Sequence, residues 1–218
     1  FKDAAEKNNI QLYDLRFNEQ TFKTGSGIKR TGKRLLTVGT DCSVGKKYTA
    51  LAIEKAMKDH GMKASFKATG QTGVLIAESG IAIDAIVSDF ISGAVEWLSP
   101  DNADDHWDII EGQGSLFHPS FAGVSLGLLH GSQPDKFIVC HEPTRTNMRG
   151  VENKLPDISE VIYKTSELGK LTNPNIECVG IALNTSNMSN GSEDLKKEIS
   201  DKYSIPCLDP LKDDLSGF

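Results

Sequence analysis

The 218 residues are 38% hydrophobic and 25% charged and include 20 glycines, a mix that suits a globular fold with many tight turns and excludes a disordered chain. The formal net charge is −6, without Lys/Arg-rich runs, which excludes nucleic acid and anionic membrane as partners and requires any phosphate binding to come from a local site. No apolar run reaches membrane-spanning length and no signal peptide is visible, so the expected setting is cytoplasmic and reduced.

In chain order, residues 1–33 read as a leading segment and residues 34–218 as the main domain. The chain opens on Phe1 rather than Met, and a further domain is expected ahead of it. Asp3 to Asn8 suits a short helix, Ile10 to Leu15 alternates like a strand, and Thr24 to Gly27 reads as a flexible loop. Leu35 to Val38 is a short apolar run ending in Gly39, the pattern of a buried parallel strand. Lys46 to His60 has helical spacing, with Ala50, Leu51, Ile53, Ala56 and Met57 on one face and Gly61 as its stop.

Ala64 to Ala68 is a second strand, and Gly70 to Gly73 reads as a turn-rich loop. Ile83 to Leu98 reads as a helix with Pro100 beyond it. Trp107 to Glu111 is a third strand, closed by Gly112 and Gly114. Val124 to His130 reads as a helix stopped by Gly131. Lys136 to Cys140 is a fourth strand, Ile158 to Leu168 a helix, Cys178 to Leu183 a fifth strand, Glu193 to Lys202 a helix and Ile205 to Leu208 a last short strand. Strands alternating with helices predict an α/β fold: a parallel β-sheet flanked by helices on both faces, of the P-loop NTPase type.

The run Gly39, Thr40, Asp41, Cys42, Ser43, Val44, Gly45, Lys46 and Lys47 falls between a strand and a helix. Glycines there let successive backbone N–H groups point into one concavity, the helix start adds its positive dipole end, and Lys46 can reach over the loop to terminal phosphates. Five residues separate Gly39 and Gly45, where the common motif has four. Position 47 is Lys where the common motif has the Ser or Thr hydroxyl that binds Mg²⁺. Phosphate binding is therefore expected to be retained, and Mg²⁺-dependent phosphoryl transfer is placed in doubt.

Other polar residues leave strand ends, the edge where open α/β sheets bind ligands. Glu111 is a candidate general base or, with Asp41, a metal carboxylate if Mg²⁺ is used. His118 and His141 are candidate site histidines against a structural reading of each. Arg145 and Arg149 suit carboxylate or phosphate, against a reading as solvated loop residues. Asn184, after the fifth strand, can hold a base ring. None of the four cysteines forms a C-x-x-C pair, so no zinc knuckle is expected, and Cys140 and Cys178 read as core residues.

The stretch from Gly39 to Lys46, with its five-residue gap, resembles the phosphate loop of dethiobiotin synthetases, and Glu111 and Asn184 fall where that group has a metal carboxylate and a base-contacting Asn. A second resemblance is closer. Thr37 to Ala50, Ala68 to Gly73, Glu111 to Pro119, Gly123 to Asp135, Leu171 to Pro174 and Ile181 to Ser186 are similar to a family, long of unknown function, that includes bacterial D-glutamate N-acetyltransferases. That resemblance implies acetyl transfer from acetyl-CoA to the amine of D-glutamate or a related amino acid, a Rossmann-like domain ahead of this one, and self-association. Glu111 or His118 would then be the base, the P-loop with Lys46 would hold the coenzyme A phosphates, and Arg145 or Arg149 would hold substrate carboxylates. The alternatives are an ATP- and Mg²⁺-dependent ligase or kinase of the dethiobiotin synthetase type, or a nucleotide-binding regulatory module.

Overall fold

The computed structural model describes every residue except Glu19 and Phe218. Six parallel strands form one sheet: β1 (Lys33–Gly39), β2 (Lys63–Lys67), β3 (His106–Ile110), β4 (Lys136–His141), β5 (Glu177–Leu183) and β6 (Cys207–Leu208), in the spatial order β2-β3-β1-β4-β5-β6. Helices α1 (Lys2–Lys7), α2 (Lys46–Asp59), α3 (Gln71–Ala77), α4 (Ile91–Leu98), α5 (Ala122–Ser132), α6 (Ile158–Gly169) and α7 (Ser192–Tyr203) complete the chain.

The strands are apolar throughout because both faces of the sheet are covered. Successive residues of β1 point to opposite sides: Leu36 packs with Ile110, Val139 and Leu183 against α4 to α7, while Leu35 packs with Ile109 and Ile138 against Ala50 and Ile53 of α2. The registers Leu36↔Ile110 and Leu36↔Phe137 lock β1 between β3 and β4. The strand order runs outward in opposite senses on the two sides of β1, so the C-terminal ends of β1, β3 and β4 open onto one crevice. No helix among the described residues is long and apolar enough to cross a membrane.

Four expectations need correction. Ile10 to Leu15 is not a strand: it pairs with nothing, and Ile10, Leu12 and Tyr13 are exposed. Gly70 to Gly73 is not a loop, because Gln71 opens helix α3. Ile83 to Leu98 is not one helix but two 3₁₀ turns followed by α4. The start of that segment is held to the β2 end, Ile81 N–H donating to Ala68 O at 3.0 Å and Ile83 N–H to Thr69 O at 2.9 Å. Gly131 does not stop α5, which runs on to Ser132; a Cβ there would sit 2.5 Å from Ser92 O, so this glycine permits close packing of α5 on α4. The stop is Gln133, at φ 47°.

Thr24 to Gly27 is also pinned. The Glu96 carboxylate accepts from Ser26 N–H at 2.9 Å and Gly27 N–H at 3.0 Å. Arg30 reaches Ser99 O and Gly131 O, each at 2.7 Å.

Candidate functional site

Residues 40–45 link the end of β1 to α2 as a closed loop. Gly39 lies so near Val44 that a Cβ would fall 2.7 Å from Val44 Cγ2. Gly45, at φ 113° and ψ 0°, takes a conformation that a side chain would strain, and it caps α2. Ser43 holds φ 54°, a left-handed conformation that costs a non-glycine residue roughly 1–2 kcal/mol. Arg145 Nη2 donates to Ser43 O at 3.2 Å and Arg149 Nη1 donates to Ser43 Oγ, which fixes that conformation.

Lys46 is buried and its Nζ donates to Asp41 O at 2.7 Å, so it lies back over the loop. Burial pushes its ammonium below the usual lysine range. Asp41 is fully buried. Its Oδ2 accepts from Arg145 Nη1 and from Arg149 N–H, both at 2.7 Å. Burial pushes this carboxyl up, but the N–H groups of Arg149 and Cys42 and the Arg145 guanidinium outweigh it and hold it below the usual range. Arg145 also donates to Cys42 O at 2.7 Å. The loop after β4 is thereby clasped onto the P-loop through Asp41.

Glu111 leaves the end of β3 and is buried. Its Oε2 accepts from Thr69 N–H at 3.0 Å and Gly70 N–H at 3.1 Å, and the Gln113 side-chain amide also favours the charged carboxylate. Burial raises its pKa, partly offset by those N–H groups and by the Lys47 charge. Thr69 Oγ1 donates to Glu111 O at 2.5 Å and accepts from Gln113 Nε2 at 3.2 Å. A Cβ on Gly73 would fall 2.2 Å from Glu111 Oε2, so α3 approaches the carboxylate only because that residue is glycine. Gly112 lets β3 touch β1: a Cβ there would fall 1.6 Å from Thr37 O.

The two histidines are both engaged. His118 is buried; its Nδ1 accepts from Ser120 N–H at 3.1 Å, so Nε2 carries the proton and donates to Arg149 O at 3.0 Å. Neither nitrogen is left to take a proton, which makes His118 a brace for the β4 loop. His141 is half-buried, with Nδ1 against Thr40 Oγ1 at 3.0 Å, and burial lowers its pKa. The Arg145 guanidinium is spent on the P-loop. Arg149, with a more exposed side chain, lines the crevice.

A cleft of about 640 Å³ joins these parts, lined among others by Lys46, Lys47, Glu111, Arg149 and Asn184. Asn184 sits beside the start of α2; its Oδ1 accepts from Ser186 N–H at 3.2 Å and Ser186 Oγ at 2.7 Å. Asp41, Cys42 and His118 bring ligand-type atoms within 4.8 Å of one another, without Glu111. The Arg145 guanidinium at 2.7 Å and a fully engaged His118 make that a poor cation site. Mg²⁺ on Asp41 and Glu111 thus finds little support: one carboxylate is neutralised by arginine, and Lys47 stands where a hydroxyl would ligate. Thr69 and Gln113, which hold Glu111, were not singled out from the sequence; the glycine pair Gly70 and Gly73 was their visible signal.

A family model described as a domain of unknown function, DUF1611_C, P-loop domain, matches residues 21–217. Two curated relatives carry the name D-glutamate N-acetyltransferase. The protein from Pseudoalteromonas sp. is 55% identical over 212 residues, covering 96% of this chain and 64% of that protein. The one from Tritonibacter scottomollicae is 47% identical over 213 residues, covering 96% and 63%. The chain therefore spans a little under two thirds of the length of these relatives. A crystal structure of a DUF1611 family protein from Anabaena variabilis superposes with a TM-score of 0.87 at 31% identity, covering 96% of this chain and 64% of that one. A nucleotide-binding protein from Archaeoglobus fulgidus in complex with ADP matches at a TM-score of 0.53 and 14% identity, covering 82% and 80%, a likeness of fold alone.

Proposed function

The chain belongs to the DUF1611 P-loop family, and from that premise we propose that it is the coenzyme-binding part of an N-acetyltransferase that moves the acetyl group of acetyl-CoA to the amine of D-glutamate or a related amino acid. The name shared by the two curated relatives supports the reaction class. The observation that carries the reading is the shared cleft: a phosphate-binding loop and a buried, raised-pKa carboxylate face the same space.

The lining of the cleft supports one assignment of roles. Backbone N–H groups of the P-loop, the α2 N-terminus and Lys46 hold the coenzyme A phosphates. Asn184 borders the adenine end. Arg149 meets a substrate carboxylate. The substrate amine nitrogen bonds to the acetyl carbonyl carbon, the carbon–sulfur bond breaks, and coenzyme A leaves as the thiolate. Glu111 Oε1 accepts the proton that the amine loses, and that proton then passes to the thiolate. A carboxylate raised by burial is the better acceptor near neutral pH.

The test is product detection by mass spectrometry, with D-glutamate and either acetyl-CoA or Mg·ATP in separate tubes. N-acetylglutamate in the acetyl-CoA tube is expected. Glu111→Gln should lower kcat by about 100-fold or more while leaving coenzyme A affinity intact. ADP or a phosphorylated product in the other tube would overturn the reading in favour of an ATP-dependent ligase or kinase.

A further inference from the structure

Lys47 lines the cleft with an uncommitted charge. Its ammonium lies 4.7 Å over the Tyr48 ring and, among the described residues, makes no hydrogen bond or ion pair. The neighbouring cations are all engaged: Lys46 on Asp41 O, Arg145 on Asp41 and Cys42, Arg149 on Ser43. Lys47 occupies the first turn of α2, directly after the P-loop lysine. In P-loop proteins that position carries the hydroxyl that ligates Mg²⁺ between phosphate oxygens.

Three hydroxyls around the loop are engaged elsewhere. Thr49 Oγ1 donates to Gly45 O at 3.1 Å, Thr37 Oγ1 accepts from Gly112 N–H at 2.9 Å, and Ser115 Oγ donates to Thr40 O at 3.3 Å. Asp41, the carboxylate of the loop, is tied to two arginines. What remains is a positive charge on a four-carbon stem, near enough to Glu111 to draw its carboxyl down against burial.

Resting on the coenzyme-binding reading above, we propose that the Lys47 ammonium stands in for the divalent cation, so that the cleft takes the diphosphate of an adenosine diphosphate ester without any metal. Adenosine diphosphate and coenzyme A share that chemistry. A charge fixed to the protein meets the phosphates without the desolvation of a hydrated ion.

Calorimetric titration of the full chain with ADP, and separately with coenzyme A, tests this in EDTA and in Mg²⁺. Affinity within about twofold between the two buffers is expected. Lys47→Thr should weaken binding about tenfold or more in EDTA and recover in Mg²⁺. Lys47→Arg, which keeps the charge, should retain metal-free binding, and a thermal melt shows that both variants fold. A tenfold loss for the unaltered protein in EDTA would overturn the proposal. So would unchanged Lys47→Thr binding in EDTA, failure of Mg²⁺ to rescue it, or no binding of either ligand. Metal-free binding of ADP without acetyl transfer in the separate assay would sink the transferase reading and leave this one standing.

Discussion

Two carboxylates, Asp41 in the P-loop and Glu111 at the end of β3, have opposite linkage to pH. Glu111 has a raised pKa in the fold, because burial disfavours its charge more than the Thr69 and Gly70 N–H groups favour it. Its neutral form is therefore the better-accommodated one. Stability linked to it is full below the unfolded glutamate pKa and is lost as pH rises through the folded value. Glu111→Gln, which cannot ionise, should melt higher than the parent protein near neutral pH, and the gap should close toward pH 4. Thermal melts across that range check this; a gap that is constant with pH would refute it. Asp41 runs the other way. Its folded pKa is lowered, so its contribution is present above the unfolded aspartate pKa and falls away in acid. A residue that costs stability in the state where it works fits a catalytic role, and one that gains stability when charged fits a clasp.

Helices and strands meet at the cleft through missing side chains. Gly112 is the sharpest case, because the end of β3 rests against the Thr37 carbonyl of β1. Gly112→Ala should force the two central strands apart at their functional ends and cost about 3 kcal/mol or more, read as a fall in denaturation midpoint; a loss under about 1 kcal/mol would contradict this account. The six strands of the sheet and the P-loop were legible in the sequence because they depend on local pattern, apolar runs, a Gly-Lys pair and helical spacing, although the same alternation misled at Ile10 to Leu15. The turn to α3, the split of residues 83–98 and the passage of α5 through Gly131 were not. Each is set by a partner far along the chain: Ala68 and Thr69 for the 81–83 segment, Ser92 for Gly131, Glu111 for Gly73. The same reason hides Thr69 and Gln113 as supports of Glu111, and hides that both nitrogens of His118 are consumed by backbone groups.

At the scale of the whole molecule, residues 22–32 are stitched to the main body, while the described residues among 1–20 reach it through one exposed ion pair, Arg16 to Asp84 at 3.0 Å. Phe22 meets Trp97 edge-on at 5.8 Å, and Arg30 bridges the ends of α4 and α5. Arg34, buried in β1, also uses Arg30 O and Thr31 O as acceptors, each at 3.1 Å. Removing residues 1–20 should leave Tm within about 3 °C, whereas removing residues 1–32 should lower it by about 10 °C. Equal effects would mean that the boundary lies elsewhere. The position of β1 has a further consequence, for how the molecule is made. Its apolar run leaves the ribosome well before its pairing partners, which lie roughly 70 and 100 residues downstream. At common synthesis rates, Leu35 to Val38 waits about 5 to 20 s for β4. During that interval the future phosphate loop hangs from an unpaired hydrophobic strand, the kind of segment that nascent-chain chaperones shelter.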